Sequence, residues 1–230
     1  MQRESPDVAC LQEIKASPEQ VATSVSELTD LADYRSYWHG NARGYSGVSL
    51  HLRRDRFRTP TFSHPPFDYE TRIVDARADD WVFASVYAPN GGKDFDAKMR
   101  FLRQMPAYVA GLHAEGRKLV LCGDLNVARS DIDVHPSQRR PGIIGQRPDE
   151  RALIEAILAA GLIDVGRSLA PDDDRLFTWW PYWREARPRN IGWRLDYVLG
   201  SPHAPRATAC VVQKEVGTSD HAPVIATFED

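Results

Sequence analysis

Three clusters of side chains in the sequence have the chemistry to move a proton or to hold a charged oxygen. The first is VLCGDLN at 120–126, a hydrophobic strand that runs into Gly, then Asp124, then Asn126. In an extended segment positions i and i+2 point to the same side, so the two emerge together at the strand's C-terminal end. A carboxylate beside an amide can position a water and accept its proton while the amide donates to an oxyanion. An ordinary strand-to-turn transition uses the same residues, because Gly, Asp and Asn favour turns. The second cluster, TSDHAP at 218–223, again precedes an apolar strand. Neighbouring side chains diverge in an extended chain, so Asp220 and His221 serve different partners. Asp220 would meet a metal or water and His221 a phosphate oxygen, with Asp196 the candidate carboxylate to orient the imidazole. A hydrogen-bonded turn is the plainer reading. The third is CLQEIK at 10–15, where a strand end presents Glu13. A hard cation such as Mg2+ prefers such oxygen ligands, although a surface Glu closing a strand is the commoner case. All three clusters stand at the ends of apolar strands. Together they supply what phosphoryl transfer needs: a metal to neutralise charge, a base for water and a cation to steady the phosphate.

The elements that must position these residues are legible as patterns. Apolar runs of strand length fall at 7–11, 47–52, 81–88, 118–122, 195–199, 207–212 and 223–228. Helical spacing appears at 18–31, where Ser17 caps Pro18 and Val21, Val25 and Leu28 share a face. It returns at 95–112, with Phe101, Leu102, Met105, Val109 and Leu112 on one stripe and Pro106 expected to kink the helix. A third helix is expected at 148–160, opening on Asp149 and Glu150 and ended by Gly161. With no repeat or low-complexity tract, one α/β domain over residues 1–230 is the economical reading. The stretches 53–68 and 128–147 are long and irregular, as functional loops are.

Composition sets the outer bounds. The 230 residues are 42% hydrophobic, too apolar for a disordered chain, and no run approaches the roughly 20 residues of a membrane helix. The N-terminal MQRESPDVAC has no positively charged region followed by an apolar one, so a cytoplasmic location is expected. Cys10, Cys122 and Cys210 lack close spacing and read as reduced thiols. The net charge of -3 hides an arginine bias, because 24 of the 29 basic residues are Arg. From Arg35 to Arg72 seven Arg face three acids, and from Arg175 to Arg194 five face one. Guanidinium forks match phosphate oxygens, so these stretches suit a polyanion. The second also packs Trp179, Trp180, Tyr182, Trp183 and Trp193 among Arg184, Arg187, Arg189 and Asn190. Aromatics interleaved with Arg and Asn suit a surface that stacks on bases or sugars while gripping phosphates.

With these residues in hand the sequence resembles the exonuclease III family of abasic-site endonucleases, in the deoxyribonuclease-I-like endonuclease/exonuclease/phosphatase superfamily. The motifs are PDVACLQEIKA around Glu13, GYSGVSL at 44–50, VYAPNGG at 86–92, LCGDLNVARSDIDV at 121–134, NIGWRLDYVLGS at 190–201 and TSDHAPV at 218–224. The resemblance implies a four-layer α/β sandwich, two β-sheets packed face to face with flanking helices, and a site at one edge. It implies that Glu13 holds Mg2+ (or Mn2+) with Asp220 assisting, and that Asp124 activates water with Asn126 beside it. His221, oriented by Asp196, would hydrogen-bond the scissile phosphate. Tyr87 and Asn90 would contact the phosphate, and Trp193 with Trp179 would line the pocket for a flipped abasic sugar.

The implied reaction is hydrolysis 5′ to an abasic site in double-stranded DNA, leaving a 3′-hydroxyl, by a monomeric enzyme. Removal of 3′ blocking groups and 3′-to-5′ exonuclease action are implied companions. An abasic nucleotide lacks stacking and is cheaper to extrude than a normal base. One departure is expected to matter. Family members open with a further β-strand that supplies an Asn to the metal site, whereas this chain starts at MQRESPDV. By that resemblance it would be less stable and bind metal more weakly than a longer relative. Two other readings stay open: a superfamily phosphatase or phosphodiesterase on a non-DNA substrate, such as an inositol polyphosphate or sphingomyelin, and an inactive chain that only binds DNA.

Overall fold

In the computed structural model, which describes residues 4–17, 19–21, 32–40, 44–217 and 219–229, two sheets face each other across an apolar core. The larger has six strands in the order β4 (Thr61–Ser63), β5 (Ile73–Ala78), β6 (Trp81–Tyr87), β7 (Lys118–Asp124), β9 (Asp196–Gly200) and β8 (Ile163–Asp164). Opposite lie a three-stranded sheet of β1 (Val8–Gln12), β3 (Val48–Arg53) and β2 (Tyr34–His39), and the hairpin of β10 (Ala207–Val212) and β11 (Val224–Phe228). Period-two alternation explains how each strand serves two layers. On β6, Val82, Ala84 and Val86 face one cluster, while Phe83 and Tyr87 face the other with Val48, Leu50 and Leu52 of β3.

Helices α1 (Phe95–Ala114) and α2 (Pro148–Ala159) cover the outer face of the large sheet through Phe101, Leu102, Met105, Val109, Ile154 and Ile157. Asp94 caps α1 by accepting from the Ala97 amide at 2.8 Å, and the helix runs on past Pro106 to its end. The helix expected at 18–31 lies almost wholly outside the described residues, as would any layer it forms over the smaller sheet. A short helix, α3 (Val165–Leu169), follows β8 and was not signalled by periodicity. Of the stretch expected to be irregular at 53–68, Thr61–Ser63 forms edge strand β4 against β5. The cysteines are free and half-buried. Among the described residues no helix is long and apolar enough to cross a membrane.

One buried polar residue ties stability to pH. His51 on β3 is fully buried, with Nε2 2.9 Å from the Ser49 hydroxyl and Nδ1 2.8 Å from that of Ser36. Burial pulls its pKa down to about 4 from an ordinary 6.5. Between those two pH values the unfolded chain holds a proton that the folded chain refuses, so stability falls as pH drops through that window. The full loss is on the order of 3 kcal/mol. Urea unfolding at pH 7 and pH 4 should show a smaller acid-induced loss for His51→Gln than for the native chain, and equal losses would refute the assignment.

Candidate active site

Strand register builds the centre of the site. Tyr87 closes β6 opposite Asp124 at the end of β7, and Asp124 pairs with Asp196 at the start of β9. Three candidate side chains therefore stand in a row across three neighbouring strands. Gly123 makes that row possible, because a Cβ there would lie 1.9 Å from the Val86 carbonyl oxygen. Asp124 is buried, and its carboxylate accepts from the Asn126 amide and from the Asn126 side-chain Nδ2, both at 2.8 Å. Asn126 reaches back because its φ of 54° folds the chain after the strand. The pair thus converges through a turn and not through the extended spacing that the sequence suggested. The same Nδ2 donates to the Ala88 carbonyl at 2.9 Å, which fixes the amide.

The second sheet brings Glu13 across. It follows β1 with a φ of 54°, a costly conformation for a non-glycine residue and one that clusters at functional sites. The Tyr87 hydroxyl donates to its Oε1, and Lys15 pairs with its Oε2 at 2.7 Å. Asp220 and His221 arrive from the loop before β11. His221 Nδ1 lies 2.9 Å from Asp196 Oδ2, so Asp196 sits behind the ring, outside the pocket lining. Asp220 Oδ2 accepts from the Trp179 indole at 3.0 Å, and the Tyr182 hydroxyl lies 3.3 Å from Oδ1.

The charges interlock. Burial raises Asp124 to about 7; His221 opposes the rise, and the carboxylates of Asp196 and Glu13 add to it. Burial alone would lower His221, but Asp196, Asp124 and Asp220 outweigh it and push the imidazole up to about 10. Glu13 is lowered: burial works against its charge, yet Lys15 and the Tyr87 hydroxyl prevail. Burial, then Glu13, raises Tyr87, which stays protonated as a donor.

These groups open onto a cavity of about 300 Å³ lined by Glu13, Tyr87, Asn90, Asp124, Asn126 and His221 on its polar side. Trp179, Trp193, Leu195 and Ile144 form the apolar side. The two indoles meet edge to face at 5.6 Å and 73°. Sequence reasoning misses Ile144, Gly145 and Leu195; the one mark the sequence carries for them is the apolar Ile143–Ile144 pair inside an otherwise polar loop, and both prove exposed.

Two expected DNA contacts fall elsewhere. Asn190 is buried and spent on the fold, accepting from the Trp180 indole at 3.1 Å and donating to the Arg175 carbonyl at 3.2 Å. Arg189 is exposed but outside the pocket lining. Arg187, also read as a phosphate grip, spends its guanidinium on the carbonyls of Lys214, Val216 and Ser219.

The donors fit a hard cation by their chemistry, since Glu13, Asp124 and Asp220 offer only carboxylate oxygens. Their ligand atoms do not gather as three within 4.8 Å of one another. All three therefore cannot ligate one ion directly in this arrangement; one or two of the carboxylates could do so, with waters completing the shell.

Comparison with known proteins identifies the family. Residues 1–221 match the Endonuclease/Exonuclease/phosphatase family. The DNA repair nuclease APEX1 of Danio rerio is 33% identical over 232 residues, which cover 97% of this chain and 74% of that protein. The Exodeoxyribonuclease of Bacillus subtilis is 30% identical over 230 residues, 97% of this chain and 88% of its own. Recombination repair protein 1 of Drosophila melanogaster is 32% identical over 98% of this chain, which spans only 33% of that longer protein. The 3′ phosphatase NExo from Neisseria, solved bound to a product DNA hairpin, superposes with a TM-score of 0.83 at 28% identity, over 97% of this chain and 89% of that one. The chain belongs to the Endonuclease/Exonuclease/phosphatase family and is an exonuclease III-like phosphodiester hydrolase.

Proposed function

We propose that the chain is a DNA repair nuclease that hydrolyses the phosphodiester 5′ to abasic sites, leaving a 3′-hydroxyl. In this reading it also trims 3′ blocking groups and works as a 3′-to-5′ exonuclease, as a cytoplasmic monomer dependent on Mg2+ or Mn2+. The observation that carries the reading is the adjacency of an ionisable row, Tyr87–Asp124–Asp196 capped by His221, to an apolar slot walled by Trp179 and Trp193. Hydrolysis needs the first, and a sugar without its base fits the second. The relatives named for DNA repair and exodeoxyribonuclease activity, and the Neisseria relative on its DNA hairpin, support the substrate class.

Each residue then has a task. Asp124, poised near neutral pH, takes the proton of the attacking water, and Asn126 fixes the carboxylate's direction. His221 stays charged because Asp196 holds its Nδ1, and it donates from Nε2 to a phosphate oxygen. Asn90 donates to the same group, and Tyr87 does so when its one hydroxyl proton turns from Glu13 Oε1 to the phosphate. Glu13 and Asp220, with Asp124 beside them, would hold the divalent cation, which supplies charge neutralisation for the phosphate and the leaving oxygen.

Nicking of an abasic duplex, with and without Mg2+, tests the reading directly. Asp124→Asn should lower cleavage by about 10²–10⁴-fold while retaining DNA binding, because the shape survives and the proton acceptor does not. Wild-type-like turnover in that variant would sink the assignment.

Protonated Asp124 accepts nothing, so kcat/KM should fall as pH drops through and below about 7. It should fall again near 10 as His221 loses its proton. Asp196→Asn removes the charge that holds that proton, so the descending limb should move to lower pH by more than about one unit. An unmoved limb would show that His221 is not held by Asp196.

Trp193→Ala should reduce cleavage at abasic sites more than exonuclease turnover of undamaged ends, measured on paired substrates. Equal losses on both would remove Trp193 from the sugar slot.

A further inference from the structure

Away from the pocket, His39, His64 and Asp68 bring three donor atoms within 4.8 Å of one another, and no other group of described residues gathers three such donors so closely. His39 closes β2, and the other two lie on the chain between β4 and β5. His39 Nε2 is 2.6 Å from Asp68 Oδ2, and the two imidazoles stack at 3.8 Å with 13° between planes. From this cluster we propose a second metal site, distinct from the pocket, that binds a zinc-class transition ion through His39, His64 and Asp68.

The donor set decides the class of ion. Two imidazoles with one carboxylate suit zinc and its neighbours, whereas Mg2+ and Ca2+ take oxygen. Zinc holds nitrogen at about 2.0–2.1 Å and carboxylate oxygen at about 2.0–2.2 Å, so its ligand atoms stand roughly 3.3 Å apart. The present cluster needs the His39–Asp68 pair to open slightly and the wider gap to close. His64 is exposed and can turn its ring to do so, and its open side gives an entry path and room for a water as fourth ligand.

The outer contacts also suit a metal ligand. Asp68 Oδ1 accepts from the backbone amides of Arg72 at 2.8 Å and Ile73 at 3.0 Å, which fixes the carboxylate and leaves Oδ2 to face the imidazoles. A bound ion would therefore clamp the end of β2 to the chain that leads into β5. Arg72, at the end of that chain, lies over the Tyr87 ring at 4.9 Å. The site is structural: none of its three residues lines the pocket, and the inference stands whether or not the substrate is abasic DNA.

The test uses the full chain, stripped with chelator and held in excess Mg2+ so that the pocket carboxylates are occupied. Zn2+ alone is then titrated by calorimetry, with the thermal midpoint followed in parallel. The expected result is about one tightly held equivalent of Zn2+ and a raised midpoint. In His64→Ala the affinity should drop by more than about tenfold and the rise in midpoint should disappear, with the Mg2+-dependent nicking rate unchanged. His64 is exposed, so the substitution should leave the fold intact, and an unchanged circular dichroism spectrum checks this. His39→Gln should repeat the loss. If the native chain takes up no Zn2+, or if His64→Ala takes it up as the native chain does, the three residues are only a hydrogen-bonded pair beside a stacked ring, and the proposal fails.

Discussion

The site depends on a carboxylate placed where water cannot solvate it. Asp124 ends a central strand between Tyr87 and Asp196, and an isolated charge there would cost several kcal/mol. The fold offsets this in two ways. Asn126 gives the carboxylate two hydrogen bonds that turn with the backbone, and His221 sets a positive charge nearby. Neither offset is complete, which is why Asp124 stays poised near neutrality. Complete compensation would leave a weak base; none would leave a neutral acid. The neighbouring carboxylate of Asp196 works in both directions, raising Asp124 and holding the proton on His221.

Positioning is carried by buried ion pairs behind the pocket. Lys98 and Glu150 are fully buried against each other, and together they hold three pocket residues. The Lys98 ammonium donates to the carbonyls of Asn126 at 2.7 Å and Asn90 at 3.3 Å, while Glu150 Oε2 accepts from the Gly145 amide at 2.7 Å. On the other side Arg194 donates to Asp133 at 2.7 Å and to both oxygens of Asp164, at 2.9 and 2.8 Å. That fork holds the backbone between Trp193 and Leu195, both of which line the pocket. Such pairs add little net stability, because desolvation offsets their attraction, but losing one partner strands a charge. Their contribution is to fix geometry. They also recast the arginine bias: Arg72, Arg187 and Arg194 work inside the fold, so local positive charge overstates the surface left for DNA.

The strand ends bearing Glu13, Asp124 and Asp220 were legible because period-two apolar runs stop at polar residues for a physical reason. β7, buried on both faces, must end where the chain meets solvent or substrate, and the half-buried β1 and β11 adjoin polar segments beyond their apolar runs. Seven strands and the two helices over the large sheet were legible for the same kind of reason. Four strands were not: β4 and β8, with three residues and two, carry too little period to register, and the six-residue β2 (YRSYWH) and β5 (IVDARA) are broken by charged and polar residues that hide an apolar run. Lys98 and Glu150 read as polar helix positions, and only tertiary packing makes them a buried pair. Asn190 misled in the opposite sense. Its type suits a ligand contact, yet Trp180 needs a partner for its buried indole N–H and takes that amide instead. The cluster of His39, His64 and Asp68 was invisible because its members come from separate segments with no local spacing to mark them.

The apolar walls are tied to the same network as the reactive groups, and this bears on selectivity. The Trp179 indole donates to Asp220 and the Trp193 indole to Gln138, so neither ring is free to swing. Gly192 tightens the arrangement further, since a Cβ there would come within 2.4 Å of the Trp179 carbonyl oxygen. A slot with mobile walls would lose ordering entropy each time a ligand entered, and that loss would fall on tight and poor ligands alike. Walls already fixed leave discrimination to shape and to the cost of bringing a sugar out of the helix. That cost is lowest where a base is missing, so under the proposed function a rigid slot would convert a stacking defect in the substrate into a preference of the enzyme. Because Asp220 both anchors Trp179 and lines the same cavity as Asp124 and His221, the proposed function would have occupancy of the slot and alignment of the phosphate set by one piece of geometry.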